Sequence, residues 1–179
     1  MFKRRIKLKR FVIHILSVPA INADVFDLSM DKNAVIICTD RTSEFIEGDY
    51  IKHKLILPFQ DVEIKNMPGA FNEAYARSVI RFLQKLPDCV SDLYVCCSKG
   101  GSRSPALAAA ILKGSKRSDD PVWKNPFYNP NKLVYWKMCK ELGIFMPWPL
   151  VKHKGAINER AFKDADKDNL EYERWQILF

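Results

Sequence analysis

The sequence predicts an α/β fold: a single domain with a mainly parallel central sheet flanked by helices. Three observations carry that prediction. Residues 11–16, 34–38 and 93–96 are short, almost continuously apolar runs, two of them rich in β-branched residues, which is the pattern of strands covered on both faces. Between such runs lie segments whose apolar residues recur at steps of three and four, the period of an amphipathic helix. The two kinds of segment alternate along the chain, and strands joined through helices and loops pair in parallel.

Each element follows in order. Residues 11–16 are the first expected strand, and 20–28 a short helix with Asp24 and Asp27 on its polar side. The second strand is 34–38. The polar stretch 39–48, opened by Asp40, is expected to be a loop. Leu55, Ile56 and Leu57 make a third strand, stopped by Pro58. After a Pro68-Gly69 break, Phe71, Ala74, Tyr75, Val79, Phe82, Leu83 and Leu86 share one face of a helix over 71–86, which Pro87 ends. The strand at 93–96 follows it. Residues 114–131, with Pro121, Pro126 and Pro130, read as a loop, and 132–142 as a further helix with Val134, Tyr135, Met138 and Leu142 on one side. Two prolines argue against a regular helix over 145–150. Residues 157–179 are expected as a terminal helix or a partly ordered tail carrying Tyr172, Trp175 and Phe179.

Chemistry concentrates in residues 93–112, LYVCCSKGGSRSPALAAAIL. An apolar strand runs into a Gly- and Ser-rich loop, and a helix-forming run begins directly after it. Amide groups at a helix amino terminus lack intrahelical partners, and the helix dipole adds partial positive charge, so such a loop cradles anions. Cys97 stands at the mouth of the loop and Arg103 closes it. A guanidinium and several N–H dipoles favour a thiolate over a thiol. The same groups suit a phosphoryl group, which the planar fork of Arg103 can grip by two oxygens. Gly100 and Gly101 let the backbone bend with its amides turned inward. Ser104 is expected to cap the helix and to offer a hydrogen bond to the sulfur.

These residues, Cys97-Ser98-Lys99-Gly100-Gly101-Ser102-Arg103-Ser104-Pro105, resemble the signature loop of the cysteine-dependent protein tyrosine phosphatases, most nearly the dual-specificity branch. That pattern (CX5R) is a Cys, five residues and an Arg, with Gly third among the five and Ser or Thr after the Arg. The family usually carries His just before the nucleophile, where this chain has Cys96. More weakly, the layout from 55–61 through the helix and signature strand to 130–135 is similar to that of compact bacterial and phage enzymes of this type.

The resemblance implies a phosphatase-like three-layer α/β/α fold and a phosphocysteine mechanism. Cys97 would be the nucleophile, with Arg103 and the Ser98, Lys99, Gly100, Gly101 and Ser102 amides binding phosphate and Ser104 assisting the thiol. It implies no cofactor and no metal. A general acid is needed for the leaving group. Asp61, after the third strand where the family carries its acid loop, is the candidate; Asp120 in an Asp-Pro context and Asp40 at the end of a strand are the alternatives. The expected division is a basic arm at 1–10, a catalytic domain at 11–145 and a C-terminal extension, 146–179, without an assigned role. The partner expected is a phosphorylated protein or another phosphate monoester. Competing readings are a catalytically weak phosphate-binding module, or a phosphatase of RNA 5′ ends or phosphoinositides.

Composition bounds these readings. The 179 residues suffice for one sizeable core, and a net charge of +8 favours acidic partners, whether phosphate esters, nucleic acid or anionic membrane surfaces. Part of the excess lies in Lys3, Arg4, Arg5, Lys7, Lys9 and Arg10, read as a solvated arm. No apolar run is long enough to span a bilayer. Five cysteines, two of them adjacent, do not suggest a disulfide framework, and a reducing, cytoplasmic setting fits. Asp164, Asp166 and Asp168 have the early spacing of a calcium loop, but Asn169 replaces the necessary Gly and Trp175 the closing Glu, so no calcium site is expected.

Overall fold

The computed structural model describes residues 5–23, 30–40 and 51–177. Four parallel strands form one sheet: β1 (Val12–Ser17), β2 (Asn33–Thr39), β3 (Lys54–Pro58) and β4 (Asp92–Cys97), in the order β1-β4-β2-β3. The last strand in sequence is therefore inserted between the first two. Ser17 of β1 and Cys38 of β2 both pair in register with Cys97 of β4. The loop after β4 thus leaves the middle of the carboxyl edge, where parallel sheets bind their ligands.

Side chains alternate across the sheet with period two, and the two faces are filled separately. Ala34, Ile36, Cys38, Leu93, Val95 and Cys97 join the main core. Val35, Ile37 and Cys96 face the other way, against Val18 of α1 (Val18–Ala23) and Ile51. The larger helical layer covers the first face. Within it, α2 (Glu73–Lys85) is capped by the Asn72 side chain, which accepts from the amides of Ala74 and Tyr75, and it buries Ala76, Val79, Ile80 and Leu83. The Ala-rich helix α3 (Arg103–Gly114) is buried on almost every side, as a helix lacking a polar face must be. It packs on β4 and against α5 (Lys132–Glu141).

Several expectations change. The helix expected over 20–28 occupies Val18–Ala23, and residues 24–29 lie outside the described residues. Of the loop expected at 39–48, Thr39 ends β2, Asp40 is described, and 41–48 lie outside. The expected loop at 114–131 contains a short helix, α4 (Asp120–Trp123), with Pro121 in its first turn, where no amide partner is lost. The same reason admits Trp148, Pro149 and Leu150 to a helix. They form the first turn of α6 (Trp148–Ile177), with the Pro147 carbonyl accepting from Leu150 and Val151. Phe179 lies outside the described residues.

The basic segment, from residue 5 onward, is docked rather than solvated. Ile6 and Leu8 alternate with Lys7 and Lys9, so apolar side chains turn inward while charges turn out. The Ile6 amide donates to the Leu142 carbonyl at 2.9 Å and the Leu8 amide to Gly114 at 3.3 Å. Leu8 and Phe11 are buried in the main core.

Helix α6 is held to the body by a buried carboxylate. Asp119 accepts from Tyr135 Oη at 2.6 Å and Trp123 Nε1 at 3.0 Å, and Lys154 of α6 stands 3.1 Å away. Burial pushes the Asp119 carboxyl up, but the Tyr135 hydrogen bond and the charges of Lys154 and Lys113 outweigh it and hold the group below the ordinary carboxylate range. Trp148 of α6 meets Trp136 edge to face, with ring centroids 5.7 Å apart. All five cysteines are free thiols. Among the described residues no helix is long and apolar enough to cross a membrane.

Candidate active site

A cavity of about 800 Å³ opens at the carboxyl edge of the sheet, and Cys97 lies on its floor. Cys97 is the last residue of β4 and is buried, so the strand fixes its backbone and the core fixes its side chain. Its Sγ is 3.1 Å from Ser104 Oγ, itself wholly buried. When the sulfur is a thiolate only the hydroxyl can donate, so this contact favours the charged form of the sulfur. Ser104 is not the helix cap, however. Helix α3 begins at Arg103 with Ser102 as its N-cap residue, and Ser104 sits in the first turn.

The loop between Cys97 and α3 is shaped by Gly100. Its φ of +71° is left-handed, and a Cβ there would stand 2.9 Å from the Ser17 amide nitrogen and 3.0 Å from the Leu16 carbonyl carbon. Backbone conformation and close approach to the end of β1 both require glycine. Gly100 therefore supports the loop from behind, whereas Ser98, Lys99, Gly101 and Ser102 line the cavity.

Arg103 is the first residue of α3 and is buried, yet it lines the cavity. Its Nη1 donates to Asp40 Oδ1 at 3.1 Å and to the Phe59 carbonyl at 3.0 Å, and its Nη2 donates to Ser98 Oγ at 2.9 Å. These acceptors come from the ends of β2 and β3 and from the loop itself, and they hold the guanidinium across the cradle. Its Nε is a buried donor with no acceptor among the described residues. Such a group is costly to leave unmade and suits an anion oxygen.

The three candidate acids separate clearly. Asp61 lines the cavity, and its Oδ1 accepts from Ser102 Oγ at 2.9 Å and Asn131 Nδ2 at 2.8 Å. Both donors converge on the same carboxylate oxygen. Asp40 also lines the cavity but is committed to Arg103. Asp120 is not among the cavity's lining residues and pairs with Lys154 at 3.2 Å. Cys96, in the place of the family's usual His, faces away from the cavity among Val18, Val35 and Ile37. Its thiol is pushed up to about 12 by burial and by the neighbouring Cys97. It is a core residue of the opposite face.

Several residues at or behind the cavity wall were not singled out from sequence. Asn131 caps α5 by accepting from the Val134 amide, and the same side chain holds Asp61. An Asn between Pro130 and a helical run is a readable cap signal, but its second partner is not readable. The opposite wall comes from the loop at 126–129 and from Asn158, Glu159, Phe162 and Lys163 of α6. No local pattern marks those positions, because the docking of α6 decides them.

No family model matches the sequence, and no curated protein matches it. Eight chains of solved structures are similar to it. One is described as the crystal structure of Tk-PTP in the active form, 12% identical, with 89% of this chain and 95% of that chain covered at a TM-score of 0.41.

Proposed function

We propose that the chain is a phosphoric monoester hydrolase of the cysteine-dependent kind, acting on phosphorylated protein through a phosphocysteine intermediate. One observation supports this above the rest. Cys97 and Arg103 face the same cavity from the two ends of one tight loop, with Asp61, from the segment after β3, lining it beside them. A buried cation whose Nε has no acceptor among the described residues, a buried thiol with a hydroxyl partner, and a carboxyl lining the same cavity form a set suited to phosphoryl transfer.

The reaction divides into two steps. The Cys97 thiolate attacks phosphorus; the S–P bond forms as the bond to the leaving oxygen breaks, and Asp61 gives that oxygen its proton. Arg103 and the loop amides hold the equatorial oxygens, where charge gathers. Water then attacks phosphorus, Asp61 takes its proton, the S–P bond breaks, and inorganic phosphate leaves with the thiolate restored.

The test is steady-state hydrolysis of an aryl phosphate by the intact chain and by Cys97→Ser. Activity that vanishes in the variant supports the enzyme. An inactive intact chain that still binds inorganic phosphate would replace it with a binding module.

A further inference from the structure

Beyond the phosphate cradle, the mouth of the cavity carries two aromatic side chains held open to solvent. Phe127 is 88% exposed and Phe162 is 59% exposed, and both line the cavity that contains Cys97 and Arg103. Scattered exposed apolar side chains are ordinary, and Phe145 is one at 73%. The difference is position: two rings from separate elements flank one anion cradle, and Phe145 is not among the residues that line it.

Their supports are fixed. The loop carrying Phe127 is tied to the cradle by the Asn129 amide, which donates to the Gly101 carbonyl at 2.7 Å. The Phe127 amide donates to Asn125 Oδ1 at 2.9 Å. Helix α6 is tied to the same loop, since Asn158 Nδ2 donates to the Asn125 carbonyl at 3.0 Å. Phe162 stands one turn beyond Asn158 on the same helical face. With Lys154 on Asp119, these bonds set both rings relative to the cradle before any ligand arrives.

We propose that Phe127 and Phe162 are the specificity-determining walls for an aryl group on the scissile phosphate, and that the C-terminal helix serves to bring the second wall. This rests on the phosphatase reading above and deepens it. Charge at the rim favours an aryl ester over a polyanion. Arg103 is paired with Asp40 and Lys132 with Glu63, and the remaining lining lysines, Lys99 and Lys163, are offset in number by Asp61 and Glu159, so the rim carries no basic excess beyond the floor. A nucleic-acid strand needs a continuous basic track beside its stacking rings. A single phosphate on an aromatic ring needs one cation at the floor and apolar faces at the mouth.

Calorimetric titration of the full-length Cys97→Ser protein tests this without turnover, using phenyl phosphate, inorganic phosphate and a 5′-phosphorylated oligonucleotide as probes. Phenyl phosphate is expected to bind more tightly than inorganic phosphate. Adding Phe127→Ala and Phe162→Ala together is expected to reduce that preference about tenfold, while affinity for inorganic phosphate holds. Both rings are exposed, so the fold should survive, and circular dichroism of the variant checks it. A preference unchanged in the variant overturns the proposal, as does tighter binding of the oligonucleotide than of phenyl phosphate. In both cases phosphate still binds and the phosphatase reading stands. Failure of every probe to bind overturns both.

Discussion

Cys38 and Cys97 are register partners on the neighbouring parallel strands β2 and β4, and their side chains enter the same core. Adjacent strands lie about 4.8 Å apart, inside the Cα separation of roughly 4.4–6.8 Å that a disulfide spans. Cys96 cannot play this part, because it faces the other side of the sheet. Peroxide would oxidise the Cys97 thiolate to a sulfenic acid, and condensation with the Cys38 thiol would release water and form the disulfide. Burial, with the neighbouring cysteines, raises the Cys38 thiol well above its ordinary value, so closure should be slow at neutral pH and faster as pH rises. Mild peroxide and peptide mapping check this. A Cys38–Cys97 cross-link with activity restored by thiol is expected; sulfinic acid at Cys97 with Cys38 still free would reject it.

Arg103→Lys keeps the charge and loses the fork. The lysine cannot meet Asp40, the Phe59 carbonyl and Ser98 together while also presenting donors to phosphate. Turnover should fall about 100-fold or more, with the thermal midpoint little changed. A near-normal rate would make Arg103 a structural residue.

Asp61→Asn removes the proton without removing the Asn131 and Ser102 contacts altogether, since the amide oxygen still accepts. Esters with poor leaving groups should slow about 100-fold, and an activated aryl phosphate far less. Equal slowing of both would reassign the acid to Asp40, the second aspartate that lines the cavity.

The sheet was readable because buried parallel strands write themselves as short apolar runs, and β1, β2, β3 and β4 differ from the expected spans by one residue at each end. The loop was readable because Cys97, Gly100 and Arg103 lie close in sequence and their chemistry depends on that spacing. What could not be read is set by distant packing. Pro149 argues against a helix until its place in the first turn is known. The charges of Lys7 and Lys9 hide the inward alternation of Ile6 and Leu8. Phe162 reaches the cavity through a helix docked by Lys154 on Asp119, a contact across 35 residues that no local period encodes.

That docking contact should be pH-dependent. Asp119 is held below its ordinary range, so it adds stability that is complete above about pH 4 and is lost as pH falls through its depressed native value. Asp119→Ala leaves Lys154 and Tyr135 without their buried partner and should cost about 3 kcal/mol near neutral pH. Urea unfolding should show the difference from the parent chain shrinking toward pH 2. A constant difference across that range would mean that Asp119 acts through packing alone.

The phosphocysteine is the central claim, and trapping it tests that claim most directly. Intact chain mixed with an activated aryl phosphate, quenched in acid within the first turnover and mapped by mass spectrometry, should carry one phosphoryl group on Cys97. Asp61→Asn should raise its yield, because the acid that starts the reaction is also the base that activates water. Phosphate released with no covalent adduct at Cys97, or an adduct on another side chain, would contradict the account.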